Sequence, residues 1–138
     1  MVCGSYITGN PSERSDIDVH IVLKDGTRWR ERGNKIIDGR MIEYFSNPPK
    51  QIVEYFKEDH EEGVQMAVIQ FLTGRVIFDD GSIKRLQKEA KKWYAKPFNK
   101  PSSVSLSLTK YGLWDRGDNL HDALEHDAPH FKVGFDTT

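Results

Sequence analysis

Apolar and polar positions alternate in the first third of the chain, a pattern typical of β-strands. A short apolar segment at 2–5 is followed by a β-branched stretch at 16–23, and both predict strands. Residues 27–35 are charged and predict a turn-rich connection. An Asp-Gly pair at 38–39 then predicts a hairpin whose second strand covers 40–45. This part of the sequence therefore predicts a small sheet.

From Pro48 onward the apolar residues recur every three to four positions, which is typical of helices. The predicted helices are one that begins within 48–56, then 61–72, 82–94 and 105–124. A short apolar run at 75–78 predicts one more strand. We expect an α/β (α+β) fold, with a small mixed sheet flanked by helices in 1–80 and a helical C-terminal part in 81–138.

Composition narrows the class of protein further. The 138 residues suffice for one domain, and 20 Lys and Arg against 21 Asp and Glu give a net charge of −1. This balance argues against a nucleic-acid acceptor held through bulk charge. No apolar run approaches the ~20 residues of a membrane span. The single Cys3 cannot form an internal disulfide, and no signal peptide precedes it, so we expect a cytoplasmic protein without a membrane partner.

Two aspartates on one predicted strand suggest a metal site. Asp16 and Asp18 are two residues apart, so their side chains project from the same face of the strand. Adjacent carboxylates repel each other unless a cation lies between them, and Mg²⁺ prefers such oxygen ligands. The other face of the strand carries the apolar residues Ile17, Val19, Ile21 and Leu23. We expect that face to pack on the core and the carboxylates to point outward.

Gly4-Ser5 supplies the complementary half of a phosphate site. A glycine at a strand end lets a phosphate approach the backbone, and the serine hydroxyl can add a hydrogen bond. Glu43, charged within an otherwise apolar predicted strand, is our candidate for a third carboxylate. Asp38 is the alternative, although Asp38-Gly39 is explained by a turn. Arg14 is a candidate for neutralising the phosphates, and a lysine of the helical half is another.

These residues together resemble a known family. Cys3-Gly4-Ser5, ten further residues, and then Asp16-Ile17-Asp18 resemble the signature of the polymerase-beta-like nucleotidyltransferase superfamily. Ser15, directly before the aspartates, also fits its common form. The segment 74–79 and the following predicted helix are similar to small bacterial members, including the branch that modifies aminoglycosides and lincosamides. Family members carry a helix and a full strand before Gly-Ser, so we expect a minimal or truncated member.

The resemblance implies an enzyme that transfers a nucleoside monophosphate from a nucleoside triphosphate to an acceptor and releases pyrophosphate. It implies that Asp16 and Asp18 bind two Mg²⁺ ions, and that Glu43 binds one and helps deprotonate the acceptor. Gly4, Ser5, Arg14 and Ser15 are assigned to nucleotide binding, with ATP as the expected nucleotide. We expect a small hydroxyl-bearing acceptor. The alternative is an antitoxin-type module, non-catalytic or protein-modifying, that acts on a helical partner protein. A homodimer or a partner protein would complete so short a chain.

Overall fold

A computed structural model describes residues 1–126 and shows a mixed α+β fold, as the sequence predicts. Its four strands are β1 (Val2–Cys3), β2 (Ile17–Val22), β3 (Glu31–Ile37) and β4 (Arg40–Asn47). The helices among these residues are α1 (Ser5–Thr8), α2 (Pro49–Glu62), α3 (Met66–Thr73), α4 (Ser82–Ala95) and α5 (Ser103–Glu125).

The strands form one mixed sheet in the order β1-β2-β4-β3. β2 and β4 are parallel neighbours, while β1 pairs with β2 and β3 pairs with β4 in the antiparallel sense. The β3–β4 turn has positive φ at both central residues, 50° at Asp38 and 75° at Gly39, as a tight hairpin turn requires. In the parallel pair of β2 and β4, residue 18 lies opposite residue 43.

The hydrophobic core lies between the helices α2–α4 and one face of the sheet. Its buried members are Met1, Ile52, Phe56, Val68, Phe71, Ile83, Leu86 and Ala90. From β2, Val22 packs against this cluster, and the ring of His20 lies 5.0 Å from the ring of Phe71. The covered face is therefore the one that carries the even-numbered residues of β2, including Asp18.

The expectation that Ile17, Val19 and Ile21 pack on the core is wrong, since Ile21 is 45% exposed and the other two are only half-buried. The carboxylates and the core share one face of β2. Burial on that face increases along the strand, from the half-buried Asp18 to the buried His20. The helices thus cover the second half of the strand and leave the carboxylate end accessible.

Three other predictions need correction. Residues 31–35, expected to be turn-like, form most of β3, because they pair with β4 through backbone atoms that their charged side chains do not affect. The helix expected over 61–72 is divided, since Gly63 adopts φ 78° and ends α2, and α3 begins at Met66. The strand expected over 75–78 is reduced to one bridge between Arg75 and Val2, because β1 is only two residues long.

Residues Met1–Asn99 form one compact unit, and a second unit begins at Lys100 and contains α5. Helix α4, placed from the sequence in the C-terminal part that starts at residue 81, therefore belongs to the first unit, where it packs on α2 and α3. In the second unit, α5 begins after Ser102, whose hydroxyl accepts a hydrogen bond from the amide of Ser105 at 3.0 Å. No helix within residues 1–126 combines the length and the apolar character needed to cross a membrane.

Candidate active site

Three carboxylates converge at the accessible end of the β2–β4 pair. The parallel register sets Asp18 opposite Glu43, and Asp16 directly precedes β2. One carboxylate oxygen from each residue lies within 4.8 Å of those of the other two, and all three residues are half-buried. The structure thus brings together the carboxylates that the sequence singled out. The rival Asp38 lies instead in the hairpin turn and is not part of the group.

The carboxylate cluster is electrostatically strained. Burial raises the pKa of Asp18, and the charges of Asp16 and Glu43 raise it further, while Arg32 acts in the opposite direction. Arg32 donates from Nε to Oε1 of Glu43 at 2.8 Å, and its Nη2 lies 2.7 Å from the same oxygen as an ion pair. One cation therefore offsets part of the charge of three carboxylates, and the remaining excess favours a further cation.

The donor set fits Mg²⁺. All three ligands are carboxylate oxygens, which hard divalent cations prefer, and there is no sulfur or imidazole ligand in the cluster. A site held by a few carboxylates leaves coordination positions for phosphate oxygens, which is how proteins commonly bind this ion together with a nucleotide. The residues that would hold it are Asp16, Asp18 and Glu43.

Gly4 packs directly against this cluster. It joins β1 to α1 with φ 86°, and a β-carbon at this position would overlap Oδ2 of Asp18. Its neighbour Cys3 pairs with Asp18 across β1 and β2 and donates from Sγ to the Asp18 carbonyl at 3.8 Å. Burial, together with the charge of Asp18, raises the pKa of the Cys3 thiol to about 12, so this cysteine is not a nucleophile. Gly4 therefore brings the start of α1, at Ser5, next to the carboxylates.

The two other candidates for nucleotide binding lie on the loop before β2. Arg14 and Ser15 line a cleft of about 460 Å³ together with Tyr6 and Arg40. The Ser15 hydroxyl accepts a hydrogen bond from the Ser12 amide at 2.8 Å, so it holds the loop in shape. Arg40 was not a candidate from the sequence, yet its Nη1 donates to the Tyr6 hydroxyl at 2.8 Å. The cleft thus holds two arginines beside the loop that leads into Asp16.

His20 is a second residue that the sequence reasoning missed. It lies two positions after Asp18 on the same face and stacks on Phe45, with ring centroids 5.1 Å apart. Its Nε2 lies 3.0 Å from Oε1 of Gln70, while its buried Nδ1 has no partner among the described residues. Burial lowers the pKa of His20 and so favours the neutral ring. The sequence signal that could have identified His20 is its spacing, because a polar residue two positions after Asp18 must lie on the same face of the strand.

A larger cleft lies on the helix-covered face beyond the carboxylates. Its volume is about 710 Å³, within the range of small-molecule sites. The sheet contributes His20, Arg32, Phe45 and Asn47, and the helices contribute Tyr55, Glu58, Asp59, Met66, Ala67 and Gln70. Arg32 connects this cleft to the cluster, because it lines the cleft and also contacts Glu43. Arg32 could not be identified from the sequence, because its position beside Glu43 depends on the register of β3.

No family model, curated protein or solved structure matches this chain. The function is therefore argued from the site itself.

Proposed function

We propose that the protein is a Mg²⁺-dependent nucleotidyltransferase that transfers a nucleoside monophosphate from a nucleoside triphosphate to a hydroxyl group of a small molecule. The observation that carries the proposal is the convergence of Asp16, Asp18 and Glu43 within 4.8 Å, directly beside Gly4. When bound, Mg²⁺ would neutralise phosphate charge and orient the attacking and leaving oxygens of an in-line displacement. ATP is the expected nucleotide.

Each part of the site has a role in holding the substrates. Asp16 and Asp18 would bind two ions, and Glu43 would bind one of them. Gly4 has no side chain where the nucleotide phosphates approach Asp18, and Ser5 offers a hydroxyl at the start of α1. Arg14 and Arg40, in the cleft beside the loop, are positioned to neutralise the phosphates that leave.

The proposed transfer forms one bond to phosphorus and breaks another. The acceptor oxygen forms a bond to the α-phosphorus, the bond from that phosphorus to the bridging oxygen breaks, and pyrophosphate leaves. Glu43 would help deprotonate the hydroxyl, and the proton would pass on to solvent, because Arg32 holds Oε1 of this carboxylate and Oε2 remains the oxygen for the metal. Most of the rate enhancement would come from positioning and charge neutralisation, as in other phosphoryl-group transfers.

The acceptor would occupy the cleft of about 710 Å³. This cleft reaches the cluster at Arg32, and its walls offer the aromatic ring of Phe45 and the polar side chains of Asn47 and Tyr55. Such a mixture of one flat apolar surface and several hydrogen-bonding groups suits a polar, hydroxyl-bearing molecule of moderate size.

Calorimetric titration with ATP, GTP, CTP and UTP in the presence of Mg²⁺ tests the proposal. We expect affinity for at least one triphosphate to depend on Mg²⁺. We expect it to fall at least ~10-fold in Asp16→Asn/Asp18→Asn, because even outer-sphere partners of a bound metal are worth about that much. Pyrophosphate release would then report turnover once an acceptor is supplied.

The matched control is Asp118→Asn, which removes an exposed carboxylate on α5 that lines none of these clefts and should leave triphosphate binding unchanged. Metal-dependent affinity that survives in Asp16→Asn/Asp18→Asn would refute the assignment of the site. A complete lack of triphosphate affinity in the parent protein would refute the proposed activity.

A second candidate function is a module that binds or modifies a helical partner protein. It is favoured by α5, where large apolar side chains are exposed: Leu106, Leu108, Tyr111, Leu113, Trp114, Leu120 and Leu124. Mg²⁺-dependent triphosphate binding without nucleotide transfer to any small hydroxyl compound, together with transfer to a protein, would favour this candidate over the first.

A further inference from the structure

A third cleft lies away from the carboxylates, between the β2–β3 connection and the start of α2. Its volume is about 520 Å³, and its walls are Gly26, Thr27, Arg28, Trp29, Arg30, Pro48, Lys50, Gln51 and Glu54. Trp29 is 57% exposed, although a tryptophan carries a large apolar surface that proteins usually bury. The cleft therefore combines an accessible indole with three cationic side chains.

The charge in this cleft is not balanced by its surroundings. Within residues 1–126, no carboxylate lies at ion-pair distance from Arg28, Arg30 or Lys50. The acidic residue of the lining, Glu54, is engaged by Lys57, whose Nζ lies 3.1 Å from its Oε1. Three cations thus face the cleft with one carboxylate that is already paired, which favours an anionic ligand.

One part of the wall is held in place before any ligand arrives. The Thr27 amide and hydroxyl both donate to the Lys24 carbonyl, at 3.2 Å and 2.7 Å, and close a turn in which Gly26 adopts φ 79°. Arg30 is oriented by a 3.2 Å hydrogen bond from its Nη1 to the Tyr55 hydroxyl. The backbone of this turn and the Arg30 side chain are thus ordered before binding, which reduces the entropy lost on binding.

We propose that this cleft binds a nucleoside monophosphate, with its phosphate on Arg28, Arg30 and Lys50 and its base stacked on Trp29. Guanidinium groups hold phosphate oxygens through charge-assisted, often bidentate hydrogen bonds. An exposed indole beside them offers a stacking surface for any nucleobase. The volume is within the range of small-ligand sites.

The site is separate from the carboxylate cluster and does not rest on the proposed transferase activity. Pro48 follows the end of β4 and lies five residues after Glu43, which corresponds to about 16 Å along an extended strand. Arg30 nevertheless lines both this cleft and the 710 Å³ cleft, so a ligand here would border the proposed acceptor site.

Binding of AMP, UMP and inorganic phosphate, measured by calorimetry and tryptophan fluorescence in EDTA, tests this inference. We expect both mononucleotides to bind without metal and to change the fluorescence of Trp29. Arg28→Gln/Arg30→Gln should weaken binding of all three probes by about 10-fold or more, as the loss of charge-assisted hydrogen bonds implies. Trp29→Leu should weaken AMP and UMP but not inorganic phosphate.

Two control variants distinguish binding in this cleft from general charge attraction and from binding at the carboxylate cluster. Lys88→Gln/Lys91→Gln removes two exposed charges from α4 and should leave binding unchanged. Asp16→Asn/Asp18→Asn should also leave it unchanged, whatever its effect on triphosphates. Circular dichroism spectra identify any variant that fails to fold.

Several results would overturn the inference. They are a lack of mononucleotide binding at millimolar concentration, an equal loss in the lysine variant, or binding that disappears in Asp16→Asn/Asp18→Asn. Binding of a single-stranded oligonucleotide with no affinity for either mononucleotide would also overturn it, because the cleft would then hold a nucleic-acid backbone.

Discussion

Gly4 combines a backbone conformation and a close contact that both exclude a side chain. Its φ of 86° and ψ of −168° lie in a region that other residues avoid, and a β-carbon would overlap Oδ2 of Asp18. We expect Gly4→Ala to lower the free energy of unfolding by about 1–3 kcal/mol through the backbone alone. It should also weaken Mg²⁺ binding, because Asp18 must move. Urea denaturation and metal titration measure the two effects.

Gly9→Ala is the matched control for this substitution. Gly9 also has positive φ, 88°, but a β-carbon there would meet no atom within 4 Å. It should cost stability without affecting Mg²⁺ binding. Equal metal affinity in Gly4→Ala and Gly9→Ala would contradict the contact between Gly4 and the carboxylate cluster.

Asp18 makes the stability of the metal-free protein depend on pH. Its pKa is raised in the folded state, mainly by burial and then by Asp16 and Glu43. As the pH rises through that raised pKa, the folded state loses a proton that the unfolded state has already released, so the free energy of unfolding decreases. The ionised cluster is therefore a source of instability that a bound cation would remove.

We expect Asp18→Asn to stabilise the metal-free protein at pH 7 by about 0.2–1 kcal/mol, the range for opposed like charges on neighbouring strands. The difference should disappear at a pH below the unfolded pKa of aspartate. Mg²⁺ should raise the melting temperature of the parent protein and not that of the variant. Asp25→Asn, in the exposed turn after β2, serves as the control. A metal-free Asp18→Asn protein that is less stable at pH 7 would contradict this account.

At the scale of single elements, α4 depends on one carboxylate that precedes it. Asp79 accepts hydrogen bonds from the amides of Gly81 and Ile83, both at 2.9 Å, and from that of Lys84 at 3.3 Å. Burial acts to raise the pKa of Asp79, but the hydrogen bonds from Ile83 and Gly81 outweigh it and hold the pKa below its usual value. The contribution of Asp79 to stability is present above the unfolded pKa and is lost as the pH falls through the folded pKa.

Asp79→Ala should therefore lower the melting temperature at pH 7, because two amides in the first turn of α4 and that of the preceding Gly81 lose their acceptor. The difference in melting temperature between Asp79→Ala and the parent protein should shrink as the pH falls below about 4, the ordinary pKa of aspartate. Asp79→Asn keeps an acceptor oxygen and should lose less. Thermal unfolding followed by circular dichroism measures this, and an unchanged midpoint in Asp79→Ala would show that the cap is dispensable.

The sequence was informative where the local pattern and the tertiary structure agree. The β-branched run of β2 and the apolar spacing of α4 were located within one residue at either end. Residues 31–35 of β3 were predicted to be turn-like because they are mostly charged and exposed on an edge strand, where only backbone pairing with β4 defines the strand. Residues 75–78 were predicted as a strand from apolar content alone, yet Ile77 and Phe78 are 69% and 80% exposed.

In the candidate site too, the residues marked by a local pattern were predicted and those brought in by strand pairing were not. Asp16 and Asp18 were identified from their spacing, and Glu43 from a charge within an apolar strand. Arg32 and Arg40 contact the site only through the register and turn of the β3–β4 hairpin, which no local pattern specifies. The prediction of which face of β2 packs on the core was wrong. Alternation shows that a strand has two different faces, but it does not show which face the helices cover.

For the whole molecule, a net charge of −1 conceals two local patches of opposite sign. The carboxylates of Asp16, Asp18 and Glu43 form the first, and the side chains of Arg28, Arg30 and Lys50 form the second. The composition alone argues against bulk attraction to polyanions. It does not bear on small anionic ligands, which respond to a few charges at close range rather than to the net charge.

The edge position of β3 has a consequence for the solution behaviour of the protein. Within residues 1–126, β3 pairs on one side only, with β4, and edge strands of this kind can recruit a strand from another molecule. Glu31, Arg32 and Lys35 place charged side chains along this edge, and such charges discourage a second chain from pairing with it. Arg32, which contacts Glu43, thereby also helps to keep this edge unpaired.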